Sequence, residues 1–270
     1  MQRKLYILGL TCLLVFGFSF YYSDQSLAFD MGLERHNMTP YEIELIDNIL
    51  DISSGQRHDS VVLQKNIELG KKQAEAAEQN FIEMAIRDTI NGTIEEIPRS
   101  TLRSSWFLTG LNTYKSCGGH GLGTSDSYWA SDLRNRNGSL VGINGYRWAK
   151  GWGTTSFTAP STGNYSVTAN YRITGNIWGG NLNVKIQFID VNDNRTKEQN
   201  YLDLDYGYYD NVPQEQTRDF YLEGGHTYTV VFQVATEATA SVGQEMADFL
   251  NTELDGTQRN VDFEWLEITN

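Results

Sequence analysis

The most regular pattern in the chain is an alternation of apolar and polar residues from Tyr165 to Ile173. A second alternating run extends from Leu182 to Asp190, with an apolar side chain at every even position through Phe188. A period of two puts one face of a strand in the core and the other in water. The two runs therefore predict half-buried antiparallel strands, which need a second sheet to cover their apolar face.

Strand-like runs of this kind recur after residue 104, with Gly, Asn and Asp turns between them. Such spacing is typical of a two-layer β-sandwich. The predicted strands are Trp106 to Leu111, Ser139 to Ile143, Thr155 to Thr158, Tyr165 to Ile173, Leu182 to Asp190, Thr217 to Leu222, Thr227 to Val234 and Val261 to Ile268.

Two long connections interrupt these strands. The first, residues 114–138, contains Cys117 and His120 among glycines and predicts a flexible loop rather than a thiol catalytic site. The second, residues 237–260, predicts a short amphipathic helix because its apolar residues have helical spacing. Those residues are Val242, Met246, Phe249 and Leu250.

Two helices are predicted before the strands. The first covers residues 40–54, and the second runs from Ser60 to about Ile90 with Asp59 as its N-cap. The apolar positions of the second helix have heptad spacing: Leu63, Ile67, Gly70, Ala74, Ala77, Phe81 and Met84. One interpretation is a helical hairpin packed on itself or on the sandwich; the alternative is a homo-oligomer formed through residues 56–95.

The segment from Asn91 to Ser105 divides the chain. Asn91-Gly92 ends the second helix, and Pro98 with the polar residues after it is typical of a linker. We therefore expect a helical region, residues 29–98, and a β-sandwich domain, residues 101–270, that folds alone.

The first 28 residues resemble an export signal. Basic residues near Met1, an apolar run from Leu5 to Phe20 and the small residues Ser26 and Ala28 match its three regions. Cleavage predicts a secreted or cell-surface protein; the alternative is an uncleaved anchor, which alone would attach the chain to a membrane. Five glycosylation sequons agree with export, at Asn37, Asn91, Asn137, Asn164 and Asn194.

The charge of the chain limits its partners. The 270 residues carry a net charge of −13 and a pI near 4.7. Repulsion between this charge and phosphate groups opposes association, so we expect no nucleic-acid partner. A neutral or cationic partner fits this charge better.

Two motifs carry a resemblance to a known class of domain. Phe157-x-x-Pro160-x-x-Gly163-x-Tyr165 opens one strand, Leu222-Glu-Gly-Gly precedes a late strand, and an apolar-acidic strand ends the chain. Residues 101–270 thus resemble the jelly-roll β-sandwiches of carbohydrate-binding modules, whereas the helical region has no counterpart in that pattern. The resemblance implies a mainly β fold, a glycan partner bound by exposed aromatic rings, and a structural calcium ion as an open alternative to no cofactor.

The candidate sugar-binding residues follow from this resemblance. Trp178 lies between two predicted strands with Asn176, Asn181 and glycines beside it, so its ring is expected to be accessible. Trp152 and Tyr208 are further candidates, although packing is the favoured interpretation for Trp152 and for Trp148. Trp106 and Trp265 are predicted to lie in the core.

Acidic residues suggest two other kinds of site, a catalytic site and a metal site. Asp262 and Glu264 resemble the paired carboxylates of glycoside hydrolases, but Asn260 occupies the position of the nucleophile, so no catalytic residue is predicted. The segment that begins at Asp190 resembles a calcium loop but lacks its glycine and its final glutamate, which favours a hairpin turn. Asp190, Asp262 and Glu264 remain weak metal candidates.

The sequence therefore predicts a secreted or cell-surface protein, without enzymatic activity, whose sandwich binds a glycan or another cell-surface component. One alternative is a structural or adhesive protein that assembles through its helices and binds no small ligand. An enzyme acting on glycans is the weaker alternative.

Overall fold

The computed structural model describes residues 59–100, 105–130, 133–240, 245–249 and 259–270. Within them the chain forms one α-helix and a single antiparallel sheet of ten strands, which confirms the mainly β class. The signal segment and the helix predicted at residues 40–54 lie outside the described residues. In the described part, no helix is both long enough and apolar enough to span a bilayer.

The elements follow one another as α1 Ser60–Ile90, β1 Trp106–Leu108, β2 Asn112–His120, β3 Gly123–Trp129, β4 Arg134–Val141, β5 Gly145–Thr158, β6 Gly163–Asp190, β7 Arg195–Leu222, β8 Thr227–Ala240, β9 Glu245–Phe249 and β10 Asn260–Thr269.

Two long strands, β6 and β7, organise the sheet. Each has 28 residues, and the two pair with each other along almost their whole length. On its other side β6 pairs first with β10, through residues 166–174, and later with β8, through residues 180–190. The two long strands therefore belong to both halves of the sheet. One half contains β1 and β10, and the other contains β2, β5 and β8.

The two halves face each other across one core. The ring of Phe232 in β8 lies 5.4 Å from Tyr171 in β6 and 5.1 Å from Phe263 in β10. The Tyr201 hydroxyl in the first part of β7 donates a 2.7 Å hydrogen bond across the core to the Val167 carbonyl. Bending of β6 and β7 thus closes the sheet into a sandwich-like arrangement.

Several predicted connections are strands instead. Residues 182–190 do not form a separate strand, because β6 continues from Gly163 to Asp190. Cys117 and His120 lie in β2, so the flexible loop predicted around them is wrong. The amphipathic helix predicted in residues 237–260 is also wrong over its described part, where Met246 and Phe249 lie in β9. The position between β4 and β6 supplies hydrogen bonds to both sides of β9, and this pairing overrides the helical spacing.

Helix α1 begins and ends where the sequence indicates. The Asp59 carboxylate accepts hydrogen bonds from the backbone N–H groups of Val61 at 2.9 Å and Val62 at 3.1 Å, as expected of an N-cap. Gly92 follows the helix with a φ of 69°, a left-handed conformation that favours glycine. The bounds and the cap predicted for this helix are confirmed.

The heptad-spaced seam of α1 packs on the outer face of the sheet. Phe81 is stacked on Trp152 of β5, with ring centroids 4.5 Å apart and planes inclined by 8°. Leu63 and Phe81 are 6% and 2% exposed, so neither offers a surface to a second chain. The seam therefore serves packing within the chain, and a homo-oligomer formed through residues 56–95 stays a prediction. The division of the chain near residue 100 stays a prediction.

Gly70 gives a direct test of this packing. In an exposed helix, replacing glycine by alanine stabilises by about 1 kcal/mol. A Cβ at Gly70 would instead lie 2.2 Å from Cδ1 of the buried Tyr146 ring. We expect Gly70→Ala to lower the free energy of unfolding by about 1–3 kcal/mol, measured by urea denaturation.

The matched control for Gly70 is the same substitution in a Tyr146→Leu background. Without the ring, alanine at position 70 should no longer destabilise the protein, because the two changes are coupled through one contact. Stabilisation by Gly70→Ala in the otherwise unchanged chain would contradict the close approach of α1 to β5.

The two tryptophans predicted for the core differ. Trp106 packs against the core, with its ring 5.1 Å from Phe157, as predicted. Trp265 is half-buried and lies 5.5 Å from Phe107. A break in strand register between Phe263 and Trp265 turns Trp265 to the outer face, which corrects the prediction.

One of the five sequons is inaccessible. Asn137 is fully buried in β4, and its amide donates a 2.7 Å hydrogen bond to the Val234 carbonyl. Asn91, Asn164 and Asn194 are exposed, and Asn37 lies outside the described residues. Glycosylation of these exposed positions stays a prediction.

Candidate ligand site at the bend of the long hairpin

The candidate site lies where β6 and β7 pass from one half of the sheet to the other. Between residues 176 and 179, β6 pairs with β9 instead of β10 or β8. Gly179 in β6 and Gly207 in β7 have φ values of 64° and 131°, which favour glycine. The register of the β6–β7 pair shifts between Trp178 and Leu182. These features bend both strands at the same place.

Three aromatic side chains share the outer face of this bend. Trp178 is the register partner of Tyr206, and Asn176 is the partner of Tyr208. Directly opposed residues of an antiparallel pair place their Cβ atoms about 4.5–5.5 Å apart on the same face. Tyr206 is 61% exposed, Tyr208 is 49% exposed, and Trp178 is half-buried. We call Trp178, Tyr206 and Tyr208 the aromatic patch.

The secondary structure of the patch differs from the sequence prediction. Trp178 and Tyr208 lie outside all of the predicted strands, yet in the structure both lie in continuous strands. The alternation of apolar and polar residues is broken at Gly179, Gly180 and Gly207, and this break hides the strand from sequence analysis.

The glycines beside Trp178 serve a different purpose from the one predicted. A Cβ at Gly175 would lie 2.3 Å from the Phe249 ring, and one at Gly180 would lie 2.7 Å from the Met246 carbonyl oxygen. Both contacts are with β9. The two glycines therefore make room for a neighbouring strand, which corrects the prediction that they give a ligand access to the indole ring.

The predicted amide ligands, Asn176 and Asn181, are not free to bind a sugar in the way predicted. Asn176 is 7% exposed and lies opposite Asp248 of β9 in the strand register. The Asn181 side chain donates a hydrogen bond to the Asp203 carboxylate of β7. The two tyrosine rings therefore provide most of the accessible surface at the bend.

Trp152 does not belong to the candidate site. It is 1% exposed beneath α1, stacked on Phe81, and its Nε1 donates a 3.2 Å hydrogen bond to Oε1 of Gln233. Its assignment as a sugar ligand is corrected, because the helix covers the face of β5 to which it belongs. Packing, the interpretation favoured for Trp152 and Trp148, agrees with this burial.

One acidic group next to the bend has an unusual titration. Burial raises the pKa of Glu245 to about 7, and a backbone hydrogen bond at Thr239 opposes the shift only in part. A Cβ at Gly179 would lie 2.6 Å from Cγ of Glu245, which places this side chain directly beside the bend. Its carboxyl group is therefore partly protonated at neutral pH. Nothing in the sequence pattern indicates this.

The three weak metal candidates do not form one cluster. Asp262 pairs with Arg134 at 3.4 Å, and Glu264 pairs with Arg172 at 2.7 Å. Both lie in β10, whereas Asp190 ends β6 in the other half of the sheet. The carboxylates that resemble a hydrolase pair are thus held by arginines in a solvated strand face.

Asp190 organises the predicted hairpin turn. Its Oδ1 accepts hydrogen bonds from the backbone N–H groups of Asn192 at 2.9 Å and Asp193 at 3.2 Å, and its Oδ2 lies 2.8 Å from Nδ1 of His226. Burial alone would raise the pKa of Asp190, but these hydrogen bonds outweigh it and lower that pKa. The hydrogen bond to Asp190 raises the pKa of His226.

Asp190, Asp193 and His226 also have ligand atoms within 4.8 Å of one another. The hydrogen bonds of Asp190 explain this arrangement, because they join two neighbouring turns. Calcium binding stays a prediction.

Comparison with known proteins gives no close relative. No family model matches the chain, and no curated protein matches it. Among solved structures, the enzymatically active domain of tailspike protein 4 from bacteriophage CBA120 is 12% identical with a TM-score of 0.30, over 57% of this chain and 19% of that one. This chain therefore spans less than a quarter of the tailspike chain.

Two carbohydrate-binding modules show a similarly distant likeness. A family 35 module from Clostridium thermocellum is 12% identical with a TM-score of 0.25, over 61% of this chain and 98% of that one. A module of Cellvibrio mixtus lichenase 5A, solved in complex with cellotriose, is 12% identical with a TM-score of 0.23, over 60% of this chain and 98% of that one. At such TM-scores these likenesses carry no argument about what this chain binds.

Proposed function

We propose that this chain is a non-catalytic glycan-binding protein of the exported or cell-surface class, and that the aromatic patch is its binding surface. The observation that carries the proposal is the exposure of Tyr206 and Tyr208 on a paired strand, next to Trp178. A cluster of exposed aromatic side chains is one of the features that mark a ligand-binding or protein-binding surface. We infer that the sandwich is of the jelly-roll type.

The geometry of the patch suits a sugar ring. Tyr206 and Tyr208 are two residues apart on β7, so their Cβ atoms are separated by roughly 6–7 Å along the strand. Their rings supply apolar faces for the C–H surface of a sugar, and their hydroxyl groups supply hydrogen bonds. Because β6 braces β7 from one side, the rings start from a fixed backbone, which lowers the entropy lost on binding.

Among the described residues, the heptad-spaced apolar residues that the assembly alternative would use are largely occupied within the chain. Its helix-mediated form depends on apolar residues of α1 that are turned against β5 and β2, including Phe81. The described residues thus favour a ligand-binding role for the sandwich over a role as a helical stalk with an adhesive head.

Truncation of the patch tyrosines tests the proposal. We expect Tyr206→Ala and Tyr208→Ala each to weaken binding of the strongest glycan found on an array by about 1–3 kcal/mol. Their melting temperatures should change little, because removing an exposed ring opens no cavity. Isothermal titration and thermal melts of the same samples measure both quantities. Trp178→Ala belongs in this series, with some loss of stability because the indole is half-buried.

The chain offers a matched control in Tyr221. It is 56% exposed and lies on the same strand, β7, but at the far end from the bend. Tyr221→Ala should leave glycan affinity unchanged. Equal losses at positions 206, 208 and 221, or an array without any bound glycan, would contradict the proposed function.

A further inference from the structure

The aromatic patch lies in an acidic stretch of β7. Asp203, Asp205 and Asp210 flank the two tyrosines, and all three are exposed. Residues 198–217 of β7 and residues 173–184 of β6 contain no lysine or arginine. The sequence of both strands at the bend therefore gives the surface around Tyr206 and Tyr208 a negative charge.

The nearest cationic side chains on β6 do not offset this charge. Lys185 lies 3.0 Å from both Glu78 and Glu198. Arg172 donates a 2.7 Å hydrogen bond to Glu264, and it also reaches the Asn211 carbonyl at 3.5 Å. Each cation is matched by at least one carboxylate of its own. Within the described residues no ion pair involves Asp205 or Asp210, so both add negative charge beside the exposed tyrosine rings.

We infer that the glycan recognised by the aromatic patch carries free amino groups, as in oligosaccharides of glucosamine. An ammonium group is attracted both by the carboxylates and by the face of a tyrosine ring. A uronic-acid glycan would be repelled by the same carboxylates. This inference rests on the proposed function and adds the sign of the ligand's charge.

Three hexasaccharides, titrated into the full chain at pH about 5.5, test the inference, because an amino group carries a positive charge at that pH. The probes are fully deacetylated glucosamine, fully acetylated N-acetylglucosamine and galacturonic acid. We expect the glucosamine hexamer to bind at least about tenfold more tightly than the acetylated hexamer in low salt, and the galacturonate hexamer not to bind. The advantage should shrink as salt rises to about 0.3 M, since exposed charges are screened.

A variant that changes only charge distinguishes the contribution of the carboxylates to binding from that of the tyrosine rings. Asp205→Asn combined with Asp210→Asn should remove the preference for glucosamine and leave the affinity for the acetylated hexamer unchanged. Asp219→Asn, on the same strand but far from the bend, is the matched control and should keep the full preference. Asp203 is left intact because its carboxylate accepts the hydrogen bond from Asn181.

The outcomes separate this inference from the proposed function. If the acetylated hexamer binds as tightly as the glucosamine hexamer, and Tyr206→Ala weakens both, the inference fails and the proposed function stands. If the glucosamine preference survives in the double variant, the carboxylates are not its source and the inference is overturned. If no glycan binds and array screening is also negative, both fail.

Discussion

Replacing Phe81 by alanine is expected to lower the free energy of unfolding by about 3–5 kcal/mol, which is a large part of the stability of a domain this size. Phe81 is 2% exposed between α1 and the sheet. Its ring is stacked on Trp152 at 4.5 Å and meets the edge of Tyr114 at 5.5 Å. Truncation would remove both ring contacts and leave a cavity into which the surrounding structure relaxes only in part.

Chemical denaturation followed by tryptophan fluorescence measures this effect, since Trp152 itself reports on the contact. Val61→Ala is the matched control, because Val61 belongs to the same helix and is 77% exposed. It should change stability by no more than about 0.5 kcal/mol. Equal effects of the two substitutions would mean that α1 adds no packing energy to the sheet.

The contact between α1 and the sheet also concerns the predicted division of the chain into residues 29–98 and 101–270. A fragment of residues 101–270 would expose Tyr146, Trp148 and Trp152, all of which are 1% exposed beneath α1. Sequence analysis assigned α1 to a separate region because Pro98 and its polar neighbours are typical of a linker. However, Ile97 beside Pro98 is 2% exposed in the main core, and α1 shares a buried interface with the sheet, which no local pattern encodes.

Strands with strict alternation could be predicted from the sequence. Residues 165–173 and 182–190 alternate because each covers the shared core with one face and meets solvent or α1 with the other. Their union into one strand could not be predicted, because the switch of the buried face from odd to even positions occurs at Gly179. Sequence analysis interprets a glycine pair there as a turn, whereas hydrogen bonds from β7 and β9 keep the chain extended.

Polar strands were missed for a related reason. The strand β2, Asn112–His120, has the sequence Asn-Thr-Tyr-Lys-Ser-Cys-Gly-Gly-His, which lacks an apolar face. It forms because β5 offers a row of hydrogen-bonding groups and because α1 covers it: Gly119 donates to Oε1 of Gln73 at 2.9 Å. Such strands depend on partners distant in sequence, so their own residues give little sign of them.

The candidate site, too, could be predicted from the sequence only in part. Exposed aromatic residues could be proposed from the sequence because Tyr206 and Tyr208 lie in an acidic stretch with little apolar content. Their juxtaposition with Trp178 depends on the irregular register of β6 and β7, which requires the structure. The prediction for Trp152 is wrong because the sequence of β5 does not show that α1 covers this strand.

A buried charge cluster links α1 to the sheet, and it is the second point at which a single substitution should have a large effect. The Glu78 carboxylate of α1 pairs with Lys150 at 2.5 Å and with Lys185 at 3.0 Å, and it also accepts a 3.1 Å hydrogen bond from Gln187. The two lysine side chains are only 10% and 13% exposed. The carboxylate thus compensates two ammonium groups that have little water around them.

Glu78→Gln should therefore destabilise the protein by about 3–5 kcal/mol, because Lys150 loses the carboxylate with which it pairs and Lys185 keeps only Glu198. Denaturation at neutral pH measures the loss. Glu83→Gln, at an exposed position of the same helix, is the control and should have an effect within about 0.5 kcal/mol. A cost no larger than that of the control would show that Lys150 and Lys185 find other partners or water.

The pH dependence of stability gives the same cluster a second readout. Burial by itself would raise the pKa of Glu78, but the ammonium groups of Lys150 and Lys185 outweigh it and lower that pKa from 4.5 to about 2. A carboxylate with a lowered pKa in the folded state contributes stability above its unfolded pKa and loses it as the pH falls toward the folded value. We therefore compare the unfolding free energy of the unchanged chain with that of Glu78→Gln. The difference should be constant above about pH 5, and it should shrink by about 3 kcal/mol as the pH falls from 4.5 to 2. Taking the difference removes the contributions of carboxylates outside this cluster, including Asp190, whose pKa is also lowered. A difference that stays constant across this range would show that the charge of Glu78 does not stabilise the fold.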